Sequence, residues 1–250
     1  MRKKKDKIDL VYKETREFFD GRAQKYNSVN PYGATMYQDN NSELVNRRNE
    51  AEVKRILPLL KIDTNSIVLD VACGVGRWAD ALKESGMKQY YGTDFSSKLI
   101  EIAKQRVQQS NCEFLVADVG ETKEKLQRKA KDGIDCNRVI LSGVLLYLND
   151  KDIKSFFEDI NELCTDNTRV YIRVPIGIEE RLTLKDFYSD ELETEYNAIY
   201  RTRDEYYEFM KDSLLNDGYV IETEGYIFED DSLNNRQETR QYFFILSNEG

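Results

Sequence analysis

Between residues 66 and 175 the chain alternates short apolar runs with stretches of helical periodicity, a rhythm that few folds accommodate. SIVLDV (66–71) precedes GRWADALKES, with Gly86 placed to close that helix. KQYYGTD (88–94) leads into SSKLIEIAKQRVQQ, where Leu99, Ile100, Ala103 and Val107 recur at helical spacing. CEFLVAD (112–118) precedes a more polar helix around 121–131. DCNRVILSG (135–143) precedes a helix that Asp150 is placed to cap, with Ile153, Phe156, Phe157, Ile160 and Leu163 on one face. TRVYIRVP (168–175) is the fifth strand. Nearly continuous apolar strands are covered on both faces. The expected fold is therefore α/β, a doubly wound, mainly parallel sheet with helices on both sides.

The pattern changes after Pro175. Residues 176–200 mix charge with aromatic side chains and read as an insertion over the active site. Thr202 and Glu205 form a capping box for a helix from about 203 to 216 that stops near Gly218. YVIETEGYIF (219–228) and TRQYFFILS (239–247) are strands joined by DDSLNNRQE, too short for a parallel crossover, so they are antiparallel neighbours. Residues 1–60 supply an amphipathic helix near 7–19, a loop over 20–41 and a helix from about 43 to 60. The domain reading is an N-terminal helical cap or lid (1–60) and a sheet domain (61–250).

Histidine is absent. That removes Ser-His-Asp and Cys-His nucleophile systems and histidine-containing zinc sites. Cys73, Cys112, Cys136 and Cys164 form no CxxC pair, so no metal is expected, and they suit a reducing cytoplasm. No apolar run approaches the roughly 18 residues of a membrane helix, and the basic start has no apolar core behind it. The expectation is a soluble, cytoplasmic protein. A net charge of −9 argues against nucleic acid as a partner, and Arg2, Lys3, Lys4, Lys5 and Lys7 read as a solvated tail.

The chemistry is concentrated in VLDVACGVGRWA (68–79), a strand, a glycine turn and a helix start. Gly74 and Gly76 permit close backbone approach, and the helix end presents free N–H groups. Asp94, at the end of the second strand, can accept from both hydroxyls of a ribose, and Asp118 ends the third. GVGRWA also matches the dinucleotide fingerprint, which keeps an NAD(P)-dependent oxidoreductase as an alternative. Three features favour S-adenosylmethionine (SAM). Asp70 directly precedes the loop and suits an ammonium group. Acids end all three strands, and the sheet closes with an antiparallel pair.

From about residue 45 to 250 the chain resembles the class I SAM-dependent methyltransferases. VLDVACGVG resembles that family's first motif, YYGTDFS its second, FLVADV its third and RVILSGVLLYL its fourth. The resemblance implies a Rossmann-like seven-stranded sheet in the order 3-2-1-4-5-7-6, its last strand antiparallel. It implies that Asp70, Ala72, Gly74 and Gly76 line the methionine end and that Asp94 holds the ribose. Phe95 packs on the adenine, Asp118 accepts from its amine near the Val119 N–H, and Ser142, Gly143 and Val144 lie beside the sulfonium. Ala72 stands where the family usually has its first glycine, an exchange read as conservative.

Methyl transfer from a sulfonium needs no metal and often little base. The reading is a methyltransferase that acts on O or N of a polar small molecule and releases S-adenosylhomocysteine (SAH). A sugar, sugar nucleotide or specialised metabolite is favoured; a protein or peptide acceptor, or a non-catalytic SAM-binding protein, is the alternative. Tyr147 and Glu179 or Glu180 are the candidate catalytic residues, against a packing role for the tyrosine and solvation for the glutamates. Tyr32, Tyr37 and Arg181 are candidate substrate contacts, in segments that also hold Tyr26, Tyr188, Tyr196 and Tyr200. Arg47 and Arg48 reach either the SAM carboxylate, an acidic substrate or solvent. Trp78 reads as core.

Overall fold

A computed structural model describes residues 2–4, 6–129, 134–190, 192–234 and 236–248. Lys5 and the last two residues of the helix expected around 121–131 lie outside them. The elements in chain order are β1 (Arg2–Lys4), α1 (Tyr12–Gln24), α2 (Gly33–Met36), α3 (Ser42–Leu60), β2 (Ile67–Val71), α4 (Arg77–Leu82), β3 (Gln89–Asp94), α5 (Ser97–Arg106), β4 (Cys112–Val116) and α6 (Thr122–Lys129). They continue as β5 (Cys136–Ser142), α7 (Asp150–Asn161), β6 (Cys164–Gly177), β7 (Leu182–Ser189), β8 (Thr194–Tyr200), α8 (Arg203–Met210), β9 (Val220–Tyr226) and β10 (Thr239–Ser247).

Seven strands form one sheet in the order β4-β3-β2-β5-β6-β10-β9. Counted along the chain within that sheet, this is 3-2-1-4-5-7-6, with β10 antiparallel to both its neighbours. The strand period of two divides the core. Leu69, Val71, Val139 and Leu141 face α7 and α8, where Phe156, Phe157 and Met210 are buried. Val68 and Ile140 face the opposite layer, where Ile56 and Leu60 of α3 pack against Trp78 and Ile100. Continuous apolar strands thus result from two buried faces. Among the described residues no helix is long and apolar enough to cross a membrane.

Three local expectations are corrected. The first helix begins at Tyr12 rather than near residue 7. The chain ahead of it is held extended: the Asn149 amide accepts from Leu10 N–H (2.7 Å) and donates to Leu10 C=O (3.1 Å). Part of the basic start is also a strand, since Arg2–Lys4 pairs with β7. The insertion, to which the sequence reading assigns no secondary structure, contributes two strands, Leu182–Ser189 and Thr194–Tyr200. They form the β7–β8 hairpin of a second, three-stranded sheet, β1-β7-β8. The capping box at α8 is present, with Thr202 Oγ1 accepting from Glu205 N–H (3.2 Å) and Glu205 Oε2 from Thr202 N–H (3.0 Å).

Asp150 is not the cap of α7; Asn149 occupies that position. The carboxylate of Asp150 instead ties the insertion to the main sheet. Arg181 reaches it through both terminal nitrogens at 2.9 Å, and Arg201, with no exposed surface, through Nε at 2.8 Å. Burial would raise the Asp150 carboxyl, but the two guanidiniums hold it below the usual range. Asp150→Ala leaves two buried guanidiniums short of a counter-ion. The expected cost is about 3–5 kcal/mol, read from urea unfolding; a loss below about 1 kcal/mol would show that the pairing is not structural.

The turn after β2 carries measurable strain. Ala72 adopts φ 60°, in the left-handed region, ahead of Gly74 at 55° and Gly76 at 77°. Glycine relieves a penalty of about 1–2 kcal/mol there, less about 0.4–1 kcal/mol for the freer unfolded chain. Ala72→Gly is expected to raise the urea midpoint modestly, and a fall in that midpoint would contradict the strain. The exchange at residue 72 is therefore not neutral for the backbone.

Candidate active site

A cavity of about 690 Å3 opens at the carboxyl ends of the central strands, within the size range of small-molecule sites. Asp70, Ala72, Gly74, Asp94, Phe95, Asp118, Val119, Ser142, Gly143, Val144 and Tyr147 all line it. Gly76 does not; it supports the turn from beneath, and a Cβ there would lie 3.2 Å from Val107 Cγ2.

Asp94 joins the turn to the end of β3. Its Oδ2 accepts from Gly74 N–H at 3.0 Å and its Oδ1 from Ser96 N–H at 2.9 Å. Each oxygen keeps further lone-pair capacity toward the cavity. Burial pushes this carboxyl up to about 6 despite those two donors. Asp70, 2% exposed, accepts from the Tyr90 hydroxyl. Burial pushes it up to about 7 although Tyr90 pulls the other way. Two desolvated carboxylates on a cavity wall suit a ligand that brings hydroxyls or a cation.

Helix α1 closes this end. Arg16 lies over the Phe95 ring at 5.1 Å and donates to Phe95 C=O (3.3 Å) and to Asp118 Oδ2 (2.5 Å). A flat, donor-bearing guanidinium therefore occupies the face of Phe95 and the acceptor of Asp118. Those are the contacts that the motif resemblance gives to an adenine.

The opposite end is phenolic. Tyr147, on a single 3-10 turn after β5, shares hydrogen bonds with the hydroxyls of Tyr37 and of Tyr196 (3.0 Å). Tyr200 donates to Tyr196 (3.3 Å), and Arg236 Nη1 donates to Tyr200 (3.2 Å). Burial pushes the phenols of Tyr37, Tyr147 and Tyr196 above their ordinary range. They stay neutral near pH 7 and act as donors and acceptors, not bases. Phe18 and Phe19 of α1 pack against this cluster.

Besides Gly76, the expected site residues Tyr32, Glu179, Glu180 and Arg181 do not line the cavity. Tyr32 donates to Asp80 (2.8 Å) on the outer side of α4. Glu179 lies in the exposed bend between β6 and β7. Arg181 is spent on Asp150 and Glu205 (3.0 Å). Arg47 pairs with Asp230 at the surface, whereas Arg48 lines the cavity and donates to Leu233 C=O. Trp78 is core, edge-on to Tyr171, and also touches the cavity.

The sequence reading missed a buried charge group beneath the floor. Glu52 of α3 has no exposed surface; its Oε1 accepts from Arg77 Nη2 (2.9 Å), the Tyr171 hydroxyl (2.8 Å) and the Ser142 hydroxyl (3.3 Å). Arg173 Nε lies 3.9 Å from its other oxygen. Burial raises this carboxyl, yet Arg77 and Arg173 outweigh it and hold it below the usual range. One signal was available: Val45, Arg48, Glu52, Ile56 and Leu60 form the buried stripe of α3, and two of those five are charged.

Residues 68–167 match the sequence profile of a family described as a methyltransferase domain. No curated protein sequence is similar enough to count as a match. Among solved structures, the chain is similar to a SAM-dependent methyltransferase from Leishmania major (14% identity, 92% of this chain and 82% of that one, TM-score 0.60). It is also similar to phosphoethanolamine N-methyltransferase 1 of Haemonchus contortus, bound to phosphoethanolamine and SAH (16% identity, 95% of this chain, 50% of that one, TM-score 0.68). A third similar structure is the magnesium protoporphyrin IX methyltransferase of Synechocystis with SAM bound (15% identity, 97% and 99% covered, TM-score 0.62). With its strand order and its acid-flanked glycine turn, the chain has the Rossmann-like fold of the class I SAM-dependent methyltransferases, and residues 68–167 match the methyltransferase-domain profile.

Proposed function

We propose that this protein transfers a methyl group from SAM to an oxygen or nitrogen of a polar small molecule, leaving SAH. The observation that carries the reading is the contact between Asp94 and Gly74 N–H on the wall of a cavity sized for a small molecule. It places a carboxylate able to take two ribose hydroxyls against a turn that a ligand can approach closely. A side chain at Gly74 would close that approach, since its Cβ would lie 2.9 Å from Thr35 Cγ2.

Asp70 and the 72–76 turn would hold the ammonium end, Asp94 the ribose, and Phe95 with Asp118 the adenine once Arg16 withdraws. When bound, SAM supplies an electrophilic methyl group on a sulfonium. Tyr147, Tyr37 and Tyr196 orient the acceptor through neutral hydroxyls. Orientation of this kind can supply much of a barrier reduction without a strong base. Residues 1–60 and 176–200 form the cover that excludes water, with Phe18 and Phe19 packed on the tyrosines. The related proteins named for phosphoethanolamine and magnesium protoporphyrin IX support a small-molecule acceptor. All four cysteines are free, which fits a reducing cytoplasm.

Calorimetric titration with SAM, SAH and NADH tests the cofactor. Micromolar binding of both adenosyl ligands is expected. Asp94→Ala is expected to weaken it at least about 100-fold, from loss of hydrogen bonds to a charged acceptor. Binding of NADH in their place would overturn the reading.

The raised carboxyls also fix a pH dependence. Below about 6 for Asp94 and about 7 for Asp70 the free protein holds these groups protonated. SAH affinity is therefore expected to fall as pH drops from 8 to 5, by about tenfold per unit between 7 and 6, where Asp70 alone must lose a proton, and up to about a hundredfold per unit below 6, where both must. A flat profile would remove ionised Asp94 from the binding account.

A further inference from the structure

We propose that the acceptor is an anion, a carboxylate or a phosphate ester, whose charged group is held in the cavity by Arg236, with Arg173 adding a second positive charge to the same lining. This deepens the methyl-transfer reading and rests on it.

Both arginines line the cavity. Arg236 is part-buried, with its guanidinium 5.7 Å from the Tyr200 ring centre and 5.9 Å from that of Phe187. Its hydrogen bond goes to the Tyr200 hydroxyl and not to a carboxylate. Among the described residues it has no ion pair; Glu238, the carboxylate that acts on it, is paired with Arg2. Arg173 stands on β6 opposite Ser142, the last residue of β5, with its Nη1 3.3 Å from where a Cβ on Gly143 would lie. The carboxylate within its reach is Glu52 at 3.9 Å, which Arg77 holds more closely at 2.9 Å. The Nε of Arg173 is buried with no acceptor.

Two guanidiniums sharing one carboxylate, with a third beyond them, leave a positive surplus at this end of the cavity. Partly buried charge without a counter-ion is costly. In a chain of net charge −9 the surplus is not a by-product of basic composition. An anion supplied by the ligand removes the cost, and the one hydroxyl proton left over from the three bonds that link Tyr37, Tyr147, Tyr196 and Tyr200 can go to one of its oxygens. A neutral sugar would leave Arg236 without a counter-ion and Arg173 with only its share of Glu52. Acidic or phosphorylated members of the polar-metabolite class are therefore selected.

The cofactor's own carboxylate is the competing claimant on Arg173, so the test uses protein saturated with SAH. Benzoate and phenyl phosphate are titrated against benzamide, a neutral molecule of similar shape. At least one anion is expected to bind about tenfold or more tightly than benzamide, with the better of the two separating carboxylate from phosphate. Arg236→Gln is expected to abolish that preference while keeping SAH affinity, and Arg236→Lys to retain part of it. Arg173→Gln should weaken the anion as well. Equal binding of anions and benzamide by the unaltered protein, or an undiminished preference in Arg236→Gln, overturns the proposal. Anion preference in a chain that fails to bind SAH would overturn the methyl-transfer reading and leave the anion site standing.

Discussion

The carboxylate of Glu52 is the interaction around which the two ends of the cavity are organised. It comes from the N-terminal helix α3, yet its partners are Arg77 on the cofactor-loop helix, Ser142 at the end of β5, and Tyr171 and Arg173 on β6. One buried charge thus joins four elements. Burying a carboxylate costs several kcal/mol unless hydrogen bonds answer it, and here three donors converge on a single oxygen. Removing any one partner would change the charge balance that the others feel. The α3 helix is for this reason part of the floor of the site and not only a cover.

Much of the sheet was legible because its signal is local. A strand covered on both faces is apolar throughout, and a helix on either face repeats at 3.6 residues, so β2 to β6 and their helices stand out residue by residue. The terminal hairpin was legible for a different reason: a short polar connection cannot make a parallel crossover. The second sheet was hidden. Its strands mix Lys185, Asp186 and Glu195 with tyrosines, and one partner, Arg2–Lys4, lies some 180 residues away in a basic run that reads as a tail. Sheet pairing at that separation leaves no periodic trace. The first helix was misplaced for the same cause, since the clamp on Leu10 comes from Asn149.

The site divides along the same line. Asp70, Gly74, Asp94 and Asp118 lie at strand ends or on the turn that follows, where chain direction alone sends them to one edge of the sheet. Arg173 shares that edge, opposite Ser142 at the end of β5, but Arg236 has no such address. Arg236 sits in the connection between β9 and β10, and its place beside Tyr200 follows from the β7–β8 hairpin packing there. Glu179 and Arg181 show the opposite error. Both follow the fifth strand, where ligands gather, but a bend exposes one and Asp150 captures the other.

The cavity's charge arrangement explains how a chain without histidine can host this chemistry. Where Asp70 and Asp94 line it, burial pushes both carboxyls up, to about 7 and about 6. Where Tyr147 lines it, burial pushes the phenol up and keeps it neutral, with Arg173 and Arg236 in the same lining. A field running from negative to positive along one cavity orients a dipolar pair of ligands, with a cationic donor at one end and an electron-rich acceptor at the other. In a water-poor site such a field persists with little screening. On the proposed reading the guanidiniums would fix the acceptor by its charged group while the phenols orient its nucleophilic atom, so that positioning would carry the transfer in a chain that has no histidine.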